Sequence, residues 1–421
     1  MNLWLERIFL LLIVSLGAMQ PGISILGLQT TFTDALFLIL CLMCVVSLAF
    51  GKKKLPYHPI YKYMIAFGLS MAISAVLSIS TYYSLLKLTG VLYLLGLSVL
   101  TIFVVNSFDL LRKVVLIWIA ASTIVCALGV ITVVMFYVDR SSPWNDVFLH
   151  HYGSLPVGNY PRIQSTFLYP AMLCNYLTVG ISILFAAIQA GWIRVRTGLW
   201  LLGLHSFAAL FTLTPGLGGL VFASAAWVAL APATERTPLT SRVLMAAGGA
   251  VFVASLAAAS VSLWPIPTSP FNWEVAGIRI DPTQRLLVWR DALSTFFQYP
   301  IFGKGVGLGV ASVRFQPPSG QMQLLTDAHN VFLSVAAQAG LLGIACFTAL
   351  IGSAVRSGFS SEPNGSEASS IRKALSIAFV SGLILQGLVG SFEDARHLWV
   401  LLGLVIASTK IEPAAATVSA V

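Results

Sequence analysis

VVLIWIAASTIVCALGVITVVMFY, residues 114–137, runs for 24 residues without a charge. At about 1.5 Å of rise per residue, such a helix crosses a hydrocarbon core of ~30 Å. Arg112 and Lys113 stand just before it, and Asp139 and Arg140 just after it. A helix on a soluble core keeps one polar face, and this stretch has none, so lipid surrounds it. Outward from it, similar apolar runs cover 8–28, 32–50, 60–79 and 85–105 on one side. On the other they cover 168–190, 198–213, 216–232, 243–264, 328–351, 373–391 and 396–409. The reading is an all-α polytopic membrane protein of about twelve transmembrane helices. It has four parts: N-terminal helices over 1–137, a loop and central helices over 138–264, a large loop over 265–327, and C-terminal helices over 328–421.

Composition agrees. The chain is 57% hydrophobic and 9% charged, with a mean hydropathy of +0.89, whereas soluble domains carry about 25% charged residues. The net charge of +9 is scattered through short loops, without a basic stripe for nucleic acid. Cys41, Cys44, Cys126, Cys174 and Cys346 all lie in apolar runs, so the Cys41-x-x-Cys44 pair reads as small apolar residues rather than a redox or metal motif. The first apolar run, after Arg7, reads as a membrane span rather than a signal peptide. Thr214-Pro215-Gly216 marks either a tight hairpin or a kink.

With the N-terminus inside, 14 of the 24 basic residues fall in inner loops, and every inner loop holds Lys or Arg. Eight face outside: Arg140, Arg162, Arg279, Arg285, Arg290, Lys304, Arg314 and Arg396. Seven of those eight are Arg, most of them in the outer loops 138–167 and 265–327. Arg holds phosphate with a planar fork; pairing with the outer acids Asp139, Asp146, Glu274, Asp281, Asp291 and Asp327 is the structural alternative. No acid falls mid-membrane, which disfavours an ion-coupled transporter or a flippase, the rival class.

Asp281-Pro282 reads as a helix start, and TQRLLVWRDALSTFFQ follows with Leu286, Trp289, Leu293 and Phe296 at helical spacing. This predicts an amphipathic helix at the outer interface, with Trp289 as an anchor and Arg285 in the first turn, where anions are favoured. Arg290 falls on another face. Gly303-Lys-Gly-Val-Gly-Leu-Gly309 lacks the spacing of a nucleotide loop and reads as a flexible turn. Asp327-Ala-His329-Asn330 then opens the tenth helix.

Read in order, these pieces form a pattern: Arg285-x-x-x-Trp289, Pro300-x-x-Gly303-x-Gly305, Ala328-His329-Asn330 and Gly340-Leu-Leu-Gly343, preceded by Arg162-x-x-Ser165-x-Phe167 with Pro170 and followed by ARHLWVLLGL at 395–404. The pattern resembles the O-antigen ligase and O-antigen polymerase family. Two positions depart from it: Thr283-Gln284 stands where members often carry Ser-Gly, and Gln338 where many carry Glu.

The resemblance implies a metal-independent, inverting membrane glycosyltransferase of GT-C-like fold in the bacterial inner membrane, with its active site facing the periplasm. It would move a glycan from undecaprenyl pyrophosphate to lipid A-core or to another lipid-linked repeat, without a cofactor, beside other polysaccharide-assembly proteins. On that footing Arg162 and Arg285 are the candidates for stabilising the leaving pyrophosphate, and His329 is either the base or a phosphate ligand. Arg290, Trp289, Asn330 and Arg314 are candidates for substrate binding; Asp327, Glu393 and Asp394 are possible helpers, and Trp273 could stack on sugar.

Overall fold

A computed structural model describes residues 2–20, 22–25, 28–51, 54–152, 160–212, 214, 273–275, 278–280, 285–315, 323–359, 367–390 and 395–411. The apolar runs 216–232 and 243–264, the Asp281-Pro282 helix start, Glu393 and Asp394 lie outside these residues. Within them the chain is a helical bundle. Its long members are α1 (Asn2–Ser15), α2 (Phe32–Ala49), α3 (Ile60–Val76), α4 (Thr81–Val104) and α5 (Phe108–Val138). After the single turn α6 (Trp144–Phe148) come α7 (Pro170–Gln189), α8 (Val195–Phe211), α9 (Arg285–Gln298), α10 (Val331–Gly358), α11 (Glu367–Val389) and α12 (Arg396–Ser408). Six of these, α2, α4, α5, α7, α10 and α11, are long and apolar enough to cross a membrane. The chain is a polytopic membrane protein.

The first apolar run ends sooner than its hydropathy suggests. Helix α1 stops at Ser15, the chain turns at Leu16 and Gly17, and the hairpin β1 (Ile23–Ile25) and β2 (Leu28–Thr30) follows. Hydropathy cannot register that stop, because the residues after it are still apolar. The connecting loops also carry antiparallel pairs: β3 (Leu149–Tyr152) with β4 (Tyr160–Ile163), β5 (Trp273–Val275) with β6 (Ile278–Ile280), and β7 (Val313–Phe315) with β8 (Gln323–Leu325).

Helix ends alternate between two ends of the bundle. At one end the Met19 and Gln20 amides donate to Thr166 O, each at 3.0 Å. There Arg396 also joins α12 to α2, with Nη2 3.2 Å from Asp34 Oδ2 and Nη1 2.6 Å from Thr31 Oγ1. At the other end Trp192 Nε1 donates to Glu367 Oε1, and the Arg112 guanidinium lies over the Trp192 ring. Between the ends the helices hold together by packing and interhelical hydrogen bonds, since lipid tails are as apolar as the side chains they would replace. Ser98 Oγ, for example, donates to Trp399 O at 2.6 Å across α4 and α12. Trp118 stacks on Tyr176 between α5 and α7.

From the charge pattern the end holding Ser312 is expected outside and the end holding Lys54 inside; both residues are exposed. In a cysteine-free background, Ser312→Cys should react with a membrane-impermeant maleimide in spheroplasts, and Lys54→Cys only after lysis. The reverse pattern inverts the topology.

Candidate functional site

The described candidate residues gather at the end of the bundle that holds Ser312. Asn330 caps α10: its Oδ1 accepts from the Phe332 and Leu333 amides at 3.0 and 3.1 Å. Capping lets the chain turn sharply just before the helix, and His329 takes a left-handed conformation there, φ 47°. For a residue other than glycine this costs on the order of 1–3 kcal/mol and persists only where the surroundings impose it. His329 Nδ1 lies 3.5 Å from Asp327 Oδ2, and Asp327 Oδ1 accepts from Ser334 Oγ at 3.2 Å. Asp327 is thus fixed to α10 and holds one edge of the imidazole, which turns the opposite nitrogen, Nε2, away from the carboxylate. Both side chains are partly exposed.

Ser165, the only other non-glycine with positive φ among the described residues, lies in the Arg162-x-x-Ser165 segment, φ 50°. Ser165 Oγ donates to Val125 O of α5 at 2.9 Å, and Thr166 Oγ1 donates to Gly17 O. This pins the end of β4 against α1 and α5. Arg162, on β4 opposite His150, is partly buried, and its Nε donates to Thr212 O beyond α8 at 2.9 Å. A guanidinium carries five N–H donors, and this bond is one that fixes its direction.

In α9 the observed inner face is Val288 and Ala292, with Trp289 and Phe296 half-buried, whereas Leu293 is exposed. The expected face of Leu286, Trp289, Leu293 and Phe296 is corrected at Leu293. The partner surface is a close loop of Val310, Ala311, Val313 and Ala328, which admits small side chains. Larger ones, Leu293 and Phe297, are left outward, as suits a helix lying at a lipid interface. By helical spacing, position 285 shares the face of Val288, Ala292 and Phe296, while Arg290 is exposed on the other. Arg314 is exposed on β7. Trp289 Nε1 is buried with no hydrogen-bond acceptor among the described residues.

The Gly303–Gly309 segment is an ordered close contact rather than a flexible turn. Helix α10 breaks at Gly340 (φ 66°), which removes the helical bonds of the Leu341 and Leu342 amides. Those amides donate instead to Pro300 O and Ile301 O at 2.7 and 3.2 Å. The stranded Ala337 and Gln338 carbonyls accept from the Lys304 and Gly305 amides at 3.0 and 3.1 Å. Gln338 Oε1 accepts from the Gly307 amide at 2.9 Å. This position needs an acceptor, and amide and carboxylate both supply one. Gln338→Glu should therefore unfold in detergent near the wild-type temperature, whereas Gln338→Leu should lose about 1–3 kcal/mol by orphaning the Gly307 amide. Equal thermal midpoints for the two variants would contradict this role.

Of the outer acids, Asp139 accepts from Ser141 N and Oγ at 3.0 and 2.6 Å, bonds that hold its carboxyl below the usual range. Asp291 accepts from Ser312 N at 3.0 Å. Neither forms an ion pair with an Arg among the described residues.

Residues 176–348 match the protein family described as O-antigen ligase. The chain carries an O-antigen ligase family domain. A comparison with curated proteins finds no match. The ligase-family segment begins in α7 and ends in α10, and it contains Arg285, Trp289, Arg290, Arg314, His329 and Asn330. Arg162 precedes it and ARHLWVLLGL follows it, so the interest of Arg162 rests on its placement at the same end of the bundle.

Beside the ligase-family segment lies a polar cluster that sequence reading passed over. Asn175 Nδ2 donates to Gln386 Oε1 at 2.6 Å and to Gly382 O at 3.0 Å, and Asn175 Oδ1 lies 3.1 Å from His397 Nε2. All three side chains are buried, so the cluster ties α7, α11 and α12 together. Its one sequence signal was three polar residues inside otherwise apolar runs.

Proposed function

We propose that this membrane enzyme of O-antigen assembly is a glycosyltransferase that moves a glycan from undecaprenyl pyrophosphate to lipid A-core or to another lipid-linked repeat at the periplasmic face. The observation that carries the reading is His329: strained, held by Asp327, partly exposed at the mouth of α10, and inside the ligase-family segment. In the reaction, the acceptor hydroxyl gives its proton to His329 Nε2 as its oxygen attacks the anomeric carbon. The bond from that carbon to the pyrophosphate oxygen breaks, with inversion. The electron pair leaves with undecaprenyl pyrophosphate, whose growing negative charge Arg162 and Arg285 offset in place of a metal ion. Asp327 acts as the positioning residue, by fixing the ring and favouring its protonated form once the proton arrives. Trp289 would meet a sugar by its half-buried ring rather than by its buried Nε1, and Asn330 holds the turn that presents His329.

Arg162→Ala and Arg285→Ala should each lower transfer by about 10²-fold, the scale of one lost charge-stabilising donor. Arg→Lys should recover little where a bidentate fork is used. Arg290→Ala and Arg314→Ala, on exposed positions, should be milder. The measurement is polymer-bearing lipid product in a deletion strain at matched membrane abundance, repeated with purified enzyme and lipid-linked donor in excess EDTA. Activity that collapses in EDTA and returns with magnesium would remove the cation-only reading.

A further inference from the structure

The end of the bundle away from His329 contains a polar cavity of about 560 Å³, for which the proposed glycan transfer has no use. Three elements distant in sequence line it: His58 and Lys62 at the start of α3, Ser353, Arg356 and Ser357 in the last turns of α10, and Thr409 just past α12. Lys410 stands beside Thr409 and donates from Nζ to Tyr57 O, closing the rim. Lys62 and Arg356 are exposed, and neither forms an ion pair among the described residues. Among the described residues no Asp or Glu lines the cavity.

His58 is fixed in one tautomer: Nδ1 accepts from the Ile60 amide at 3.1 Å, which leaves Nε2 as the N–H donor, 3.5 Å from Thr409 Oγ1. Burial and the nearby Lys410 lower its affinity for a proton, so it offers a neutral donor rather than a third charge. Two cations and a ring N–H thus face one space, with no anion among the described residues to answer them.

Below the cations the surface is apolar. Lys62, Ile65 and Leu69 form one exposed stripe of α3, while Ala345, Ala349 and Gly352 of the neighbouring α10 are exposed above Leu341. Ala349 and Gly352 line the cavity itself beside Lys62, and the exposed Ile65 and Leu69 continue that face of α3 towards mid-helix. A soluble anion would use the cavity alone; a ligand with a phosphate head and acyl chains would use both. We propose that this cavity binds the phosphate headgroup of an anionic membrane phospholipid whose chains lie along the exposed apolar residues of α3 and α10. Basic pockets between helices commonly hold such headgroups.

The test uses the purified full chain. Native mass spectrometry would be run in detergent with phosphatidylglycerol or phosphatidylcholine added at matched concentrations. Wild type should retain one phosphatidylglycerol in preference to phosphatidylcholine. Lys62→Gln/Arg356→Gln should lower phosphatidylglycerol affinity roughly thirty-fold, from about one surface-cation contribution for each charge removed. Phosphatidylglycerol should also raise the thermal midpoint of wild type and not that of the double variant. Undiminished binding by the double variant, or equal retention of the two lipids, overturns the proposal. So does equal stabilisation by millimolar inorganic phosphate without lipid, which would mark a small-anion site. A loss of stability in Arg356→Gln that is the same with and without lipid would mark a helix-end charge only, and also overturns it. Because these readouts do not involve glycan transfer, the result is independent of the catalytic reading.

Discussion

His329→Asn should lower glycan transfer by about 10²–10⁴-fold, the scale of a lost general base, with the protein still folded and abundant in the membrane. Asparagine is the informative replacement. At φ 47° alanine would add backbone strain to the loss of the ring, and the two effects would be mixed. Asparagine tolerates the left-handed region several-fold better than most residues and keeps a polar side chain, yet it cannot take up a proton near neutral pH. Asp327→Asn should fall between this variant and wild type, and its loss should appear in the pH dependence of kcat rather than in KM. A normal polymer ladder from His329→Asn would make the histidine a structural turn residue and end the base assignment.

Gly340→Ala should be the most damaging small substitution in the described structure. A Cβ there would sit 2.3 Å from Ile301 O and 2.4 Å from Ile301 C, both backbone atoms that cannot swing aside. The position also needs φ 66°. Left-handed strain and overpacking together cost about 3 kcal/mol or more. The change would also part the four exchanged hydrogen bonds that join residues 300–305 to 337–342. Unpaired backbone groups near lipid are costly, so the expected result is a sharp fall in membrane abundance and thermal midpoint, with activity lost through folding. Gly303→Ala, whose Cβ would meet the Gln338 backbone at 2.2 Å, should do the same. Gly352→Ala, with open space around it, is the control. A Gly340→Ala protein as stable as wild type would mean that the break in α10 is not required.

The helices were legible in the sequence because apolar length is a strong signal in a membrane protein. The runs at 32–50, 85–105 and 168–190 recur within a few residues as α2, α4 and α7. The early end of α1 was not legible, since the turn at Leu16 and Gly17 stops the helix without changing its hydropathy. In the site, the turn before α10 was visible as Asn330 following His329, but the left-handed backbone of His329 was not, because only its neighbours impose it. The inner face of α9 was misread at Leu293. A small-residue face on a tight loop carries less hydropathy than the face turned to lipid, so the stronger signal pointed outward. The glycines at 303–309 announced a turn, and only the partner strand of α10 explains what they admit. Arg162 was legible as a basic residue on the wrong side of the charge bias; its bond to Thr212 was not, because the partner lies 50 residues away.

The exchanged bonds between residues 300–305 and the break in α10 also have a mechanical meaning. The loop leaves α9, docks into the gap at Gly340 and replaces two successive hydrogen bonds of the longer helix. Helix α9 and the segment 331–339 are therefore yoked as a single crank. A displacement of α9 at the membrane surface would therefore be passed through backbone bonds to the start of α10, where the proposed mechanism puts His329.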